Sequence, residues 1–161
     1  MSSSRLSAEH LGDLLQEFVN RVSHLRGNTL AVLTDESVTL QQVLLLRRLK
    51  QLEESSPSEL ATLMRMSLPA VSQMIDRLFI LALVTRAEVS DDRRRKRITI
   101  TAKGDALLAR IRRARATEYA AGTARLSPAV RAELAAVLGK ALRELPEEAD
   151  AVACESSDTR V

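Results

Sequence analysis

Ser67-Leu68-Pro69-Ala70-Val71-Ser72-Gln73-Met74-Ile75-Asp76-Arg77-Leu78 is the stretch on which the fold turns. Ser67 is a helix-capping residue, and Pro69 suits a first turn, where a missing N–H leaves nothing unpaired. Val71, Ile75 and Leu78 recur at spacings of four and three and form an inner stripe. Pro69, Ala70, Gln73 and Arg77 fall away from it. The period predicts a helix running to about Ala82. Just upstream, Ser56-Pro57-Ser58-Glu59 has the form of a capping box with proline at the first helical position. It opens a short helix through Met64. Two short helices joined by a few residues predict a helix-turn-helix.

Downstream the helical period breaks. Leu83 to Val89 reads as a strand, Ser90-Asp91-Asp92-Arg93 as a turn, and Lys96 to Thr101 as a second strand. Ile98 and Ile100 point one way, Arg97 and Thr99 the other. A hairpin with a basic tip after a helix pair is a winged helix-turn-helix.

Working outward, Leu11, Leu14, Leu15, Phe18, Val19, Val22 and Leu25 mark one face of a helix from about Ser7 to Arg26. Gly27-Asn28 ends it, and a loop with Asp35 and Ser37 follows. Thr39-Leu40-Gln41-Gln42 is a second capping box. Its helix runs to about Gln51 and is expected to bury Val43, Leu44, Leu46 and Leu49. Beyond the hairpin, a long helix begins near Ala102-Lys103-Gly104-Asp105 and carries Leu107, Leu108 and Ile111. Ser127-Pro128 caps a last helix with Leu134, Val137, Leu138, Ala141 and Leu142 in register, and Pro146 stops it.

The expected fold class is therefore mainly α with a small β-hairpin wing. Residues 1–37 read as an N-terminal dimerisation helix and loop, and 38–101 as the winged helix-turn-helix. Residues 102–145 read as C-terminal dimerisation helices, and 146–161 as a disordered acidic tail. The outer helices carry apolar stripes that a small winged domain cannot cover, which predicts a homodimer.

Composition excludes several other classes. The 161 residues are 45% apolar, enough for a real core, but only 2% aromatic. Five glycines and four prolines are too few for a turn-dense β-sandwich. No apolar run approaches ~18 residues, so no membrane span is expected. The polar start, Met1 to Leu6, lacks a signal-peptide pattern, which predicts a cytoplasmic protein. The single Cys154 leaves no disulfide framework and no cysteine-rich zinc site; set among acids, it is not expected to be a redox switch. His10 and His24 lie about 21 Å apart along one helix and cannot share a metal. Met64, Met66 and Met74 are packing residues. With no glycine-rich phosphate loop and no nucleophile beside a histidine, neither an enzyme nor a cofactor is expected.

Charge distribution points to a partner. Net charge is only +3, yet Arg93 to Arg115 holds ten basic residues against one acid, Asp105. Glu144 to Val161 holds six acids against one arginine. Segregation of this kind suggests a basic surface for a polyanion beside an acidic tail. Double-stranded DNA is the expected polyanion. Pro69 and Ala70 permit close approach to thymine methyls, and Gln73 can pair with adenine. Ser67, Ser72 and Arg77 suit phosphates, although Ser67 also serves as a cap and Arg77 can pair with Asp76. Arg93, Arg94, Arg95, Lys96 and Arg97 place five cations in succession at the hairpin tip, suited to a narrow minor groove.

Thr39-Leu40-Gln41-Gln42, Ser58-Glu59-Leu60-Ala61, Val71 to Leu78, and Asp92 to Thr101 together resemble the MarR family of bacterial transcriptional regulators, with a wing closest to the SlyA branch. The resemblance spans roughly Leu6 to Leu145. It implies a homodimeric DNA-binding regulator, most often a repressor, with Arg94 as the minor-groove arginine and Asp92 orienting it. It also implies a small aromatic or acidic effector held between the dimer and DNA-binding regions. Two departures stand out. Ala82 occupies the place where the family usually has glycine before the first wing strand, and no cysteine lies in the N-terminal region used by thiol sensors. The competing reading is a helical dimeric interaction protein whose winged domain binds protein. Such a domain would need no arginine-rich tip.

Overall fold

The computed structural model describes residues 7–23, 27–89 and 92–145, and the side chains of these residues apart from 88–89 and 92–96. Helices α1 (Ala8–Val22), α2 (Asn28–Asp35) and α3 (Leu40–Leu52) are followed by a two-residue strand, β1 (Glu54–Ser55). Then come α4 (Pro57–Leu63), α5 (Leu68–Ile80), β2 (Val84–Val89), β3 (Asp92–Ile100), α6 (Ala102–Thr123) and α7 (Pro128–Glu144). The three strands form one antiparallel sheet in the order β1-β3-β2. The fold is mainly helical with a small winged sheet, as the sequence leads one to expect.

Local chemistry fixes the helix starts. Thr39 and Gln42 cap α3 reciprocally: the Thr39 N–H donates to Gln42 Oε1 at 2.9 Å and the Gln42 N–H to Thr39 Oγ1 at 3.2 Å. Ser56 and Glu59 do the same for α4. Each box satisfies two helix-end donors that would otherwise need water. The core lies among α3, α4, α5, the sheet and the first turns of α6. Leu45, Leu46, Leu49, Leu60, Val71, Ile75, Leu78, Leu83, Val84 and Ile98 are fully buried there. Met64, Met66 and Met74 pack against this cluster as gap fillers.

Three local expectations need correction. The stretch containing Asp35 is a helix, α2, rather than a loop. Its N-cap, Gly27, has no side chain to offer, so Glu118 of α6 accepts the Thr29 N–H at 2.6 Å instead. Secondly, the wing gains a third strand, β1, whose Ser55 pairs with Ile98. Thirdly, α3 buries Leu45 and leaves Leu44 exposed. Glu36 of the α2 C-cap also pairs with Arg110, tying this segment to α6 a second time.

The junction between α5 and the wing is tightly specified. Ala82 has φ 57°, the left-handed region that favours glycine. The Leu83 N–H donates to the Leu78 carbonyl and the Ala82 N–H to the Phe79 carbonyl, both at 2.9 Å, a Schellman end to α5. Its outward carbonyls are then taken by the start of α6. Lys103 Nζ donates to Leu81 O at 2.9 Å, Thr101 Oγ1 to Ala82 O at 2.8 Å, and the Thr101 N–H to Leu83 O at 3.1 Å. Gly104 permits this approach: a Cβ there would fall on the Leu83 carbonyl and lie 2.6 Å from Ile100 Cγ1.

The outer helices differ. In α1 only Val22 is buried, where α6 comes so close that a Cβ on Gly122 would lie 2.6 Å from Val22 Cα. Within a single chain α7 buries no residue.

Candidate nucleic-acid interface

Helix α5 divides cleanly into two faces. Val71, Ile75 and Leu78 are buried, while Ser67, Pro69, Gln73 and Arg77 are exposed and Ala70 and Ser72 half-buried. Pro69, Gln73 and Arg77 stand four residues apart, so they form one row along the solvent side of the helix. Ser67 Oγ accepts the Ala70 N–H at 3.4 Å and so caps the helix while remaining exposed. The Arg77 side chain makes no hydrogen bond or ion pair with any described residue. The expected Asp76–Arg77 pair does not form, because Asp76 binds Arg86 of β2. The structure thus brings the α5 residues together on one exposed surface with hydrogen-bonding capacity to spare.

The hairpin projects beside this surface. Its register runs from Val84 opposite Ile100 to Glu88 opposite Lys96, then shifts so that Val89 faces Asp92. The backbone at 93–95 therefore lies between two pairings, in an irregular stretch of β3. The side chains of Asp92, Arg93, Arg94, Arg95 and Lys96 lie outside those described, so the expected Asp92–Arg94 contact does too.

Arg97 behaves differently from the tip cation expected of it. It sits opposite Ala87 within the ladder, and its guanidinium lies 3.7 Å from Glu54 and 3.4 Å from Glu59. These carboxylates come from β1 and from the α4 capping box, far upstream in the chain. The Ser56 N–H donates to Glu59 at 2.7 Å and holds its carboxyl below the usual range, with Ser55 and Arg97 adding to the effect. Arg97 thus ties the wing's central strand to the first helix of the helix pair.

A groove of about 710 Å³ opens between α3 and α6. Val43, Leu44, Leu108, Ile111 and Tyr119 give it an apolar floor, and Arg47, Lys50, Arg112 and Arg115 line it with cations. Lys50 donates to Asp105 of α6 at 2.6 Å. The sequence marked Leu108 and Ile111 as apolar positions of a long helix and gave no sign of a groove. Recognising it requires α3 and α6 side by side, and Leu44 turned outward. Among the described residues no group of three or more histidine, cysteine or acidic side chains could hold a metal, and no helix is long and apolar enough to cross a membrane.

An exposed helix row beside a three-stranded hairpin sheet defines a winged helix-turn-helix. More narrowly, residues 38–96 match the MarR family, and the arrangement is the MarR winged-helix fold. That family comprises transcription regulators rather than enzymes. Among solved structures, the chain is similar to the transcriptional regulator Tm0710 from Thermotoga maritima, with TM-score 0.70, 22% identity, and 82% of this chain and 91% of that chain covered. It is also similar to RV1404 from Mycobacterium tuberculosis, with TM-score 0.63, 25% identity, and coverage of 92% and 100%. A third similar structure is a single-site mutant of MepR from S. aureus bound to an oligodeoxyribonucleotide, with TM-score 0.61, 20% identity, and coverage of 87% and 99%. No curated protein matches this chain.

Proposed function

We propose that this chain is a sequence-specific DNA-binding transcription regulator, a cytoplasmic homodimer of the SlyA-like branch that represses from a pseudo-palindromic operator. The exposed row Pro69, Gln73 and Arg77 on α5 carries this reading. Its side chains are the types that touch thymine methyls, adenine and phosphate, and none is engaged with another described side chain. Ser67, Ala70 and Ser72 complete the helix contacts, and the arginine run of the wing supplies minor-groove contacts on either side. The likeness to a MepR variant bound to an oligodeoxyribonucleotide supports DNA as the partner.

The uncovered apolar side chains support dimerisation. Leu11, Leu14 and Leu15 of α1 and Val137, Leu138 and Leu142 of α7 are all exposed in the single chain. A second copy burying them sets two recognition helices about one helical turn of DNA apart. For the effector, the groove between α3 and α6 has the right chemistry: an apolar floor for a ring and cations for a carboxylate.

The test is selection from a randomised duplex library with the purified chain, together with light scattering. The expected outcome is enrichment of an inverted repeat and a mass about twice 17.7 kDa. No enriched sequence would remove the DNA-binding reading in favour of a protein-binding winged domain. Salicylate, added as a probe acid, should weaken binding to the selected duplex, and Arg112→Ala should blunt that response.

A further inference from the structure

Asp76 and Arg77 are neighbours on α5, yet they are not partners. The Asp76 carboxylate is taken by the guanidinium of Arg86, which reaches across from β2. The same guanidinium lies 4.9 Å from the centroid of the Phe79 ring, one helical turn further along α5. Its side chain is 28% exposed and its Nε is buried without a partner, so the group is wedged between helix and strand rather than waving in solvent. A planar cation can bind a carboxylate at its edge and stack a ring on its face at once; an ammonium has no flat face to stack.

From this we propose that Arg86 is a positioning residue for DNA recognition: it locks the wing to the recognition helix and keeps Asp76 away from Arg77. The inference rests on the DNA-binding reading above. Arg97 and the β1–β3 pairing hold the wing to α4 and β1, but neither reaches the recognition helix itself. Arg86 supplies that attachment midway along β2, opposite Ile98. Orientation fixed before binding removes an ordering cost that the complex would otherwise carry. The second role is electrostatic. Asp76 is the acid beside the exposed row, and if released it would neutralise Arg77 or repel phosphate. Held by Arg86, it does neither, and Arg77 keeps its charge for the DNA.

The experiment compares wild type with Arg86→Lys, Asp76→Asn and the double variant. Affinities are measured across several salt concentrations, on the duplex selected by wild type and on a random duplex of equal length. Arg86→Lys keeps the charge but loses the two-sided contact. It should weaken binding to the selected duplex by about three- to tenfold, in keeping with one stacked cation and one exposed ion pair. Binding to the random duplex and the salt slope should stay unchanged. Asp76→Asn should also weaken specific binding, although removing an acid beside DNA ought to strengthen it on charge alone. The double variant should be no worse than the poorer single one, as expected of residues acting as a unit. In Arg86→Gln, which removes the charge, a salt slope reduced by about 1 with equal losses on both duplexes would make Arg86 a direct phosphate contact and overturn the proposal. So would tighter binding by Asp76→Asn. Phe79→Leu removes the ring, leaves the ion pair, and should give a smaller loss of the same kind, which keeps the test open if Arg86 variants fold poorly. If wild type itself enriches no sequence, the DNA-binding reading fails first, and visibly so.

Discussion

Helix α3 and helix α7 are both rich in leucine, and their fates are opposite. In α3, Leu45, Leu46 and Leu49 are fully buried within one chain. In α7, Leu138 and Leu142 are 41% and 70% exposed. The difference lies in what surrounds each helix. Helix α3 is enclosed by α4, the sheet and α6, so its stripe is covered by its own chain. Helix α7 follows the last turn of α6 and has nothing left to pack against. Apolar content alone therefore says little about burial; the number of later elements that return to cover a stripe decides it. The winged region is closed by its own residues, and the outer helices are open.

Several measurements would break or sharpen this contrast. The largest effect is expected from Leu46→Ala, which should destabilise the chain by about 2–5 kcal/mol in chemical denaturation, as for other fully buried leucines. Gly104→Ala comes next, at about 1–3 kcal/mol, because its Cβ would push against Ile100 and the Leu83 carbonyl. A neutral result would mean that the seam between α5 and α6 is looser than its hydrogen bonds imply. Leu142→Ala should cost about 1–2 kcal/mol, and only through association. Sedimentation velocity on dilution would show the variant dissociating before wild type. If both proteins sediment as monomers at every concentration, the open helices are not an interface.

Ala82→Gly runs the other way and should stabilise by about 0.5–1 kcal/mol, since its φ of 57° strains a residue with a Cβ. Thermal unfolding would register the gain. The smallest effect concerns acid. Glu59 has a folded pKa below its unfolded value, so its contribution is complete above the unfolded pKa of about 4.3 and is lost as pH falls through the folded one. Glu59→Gln should flatten the acid side of the stability curve and leave neutral pH nearly unchanged. Because the side chain is largely exposed, an acid-side change as large as that of Leu46→Ala would contradict this account.

Much of the fold was legible because its signals are local. The capping boxes at Thr39 and Ser56, the stripe of Val71, Ile75 and Leu78, and the alternation at Ile98 and Ile100 each lie within a few residues. Helix α2 escaped for physical reasons. Its N-terminus is capped by Glu118, 89 residues away, and its C-terminus ends at Ser37 in the left-handed region, where a glycine would have marked the stop. Arg65 and Ala82 end α4 and α5 in the same glycine-free way. Arg97 was misplaced for a related reason: five adjacent cations look alike in sequence, and only the fold brings Glu54 and Glu59 to the last of them. Leu44 and Leu45 differ by one position, a rotation of about 100° that an apolar run does not specify. The exposed row on α5 was visible in advance, whereas the groove, built from two helices distant in sequence, was not.

The seam at Gly104 also gives α6 a mechanical character. At one end its first turn is bonded to the last carbonyls of α5; at the other, Gly122 presses against Val22 of α1. The two glycines are 18 residues apart, about 27 Å along the axis. With α1 as the fulcrum, tilting this rod by about 7° sweeps the recognition helix through about 3 Å, close to one base-pair step. In the proposed dimer, two such rods would set the caliper width between the two α5 helices. Leu107 and Ile111 of the rod pack in the shared core, so α5 would travel with it, by a distance close to one base-pair step of about 3.4 Å.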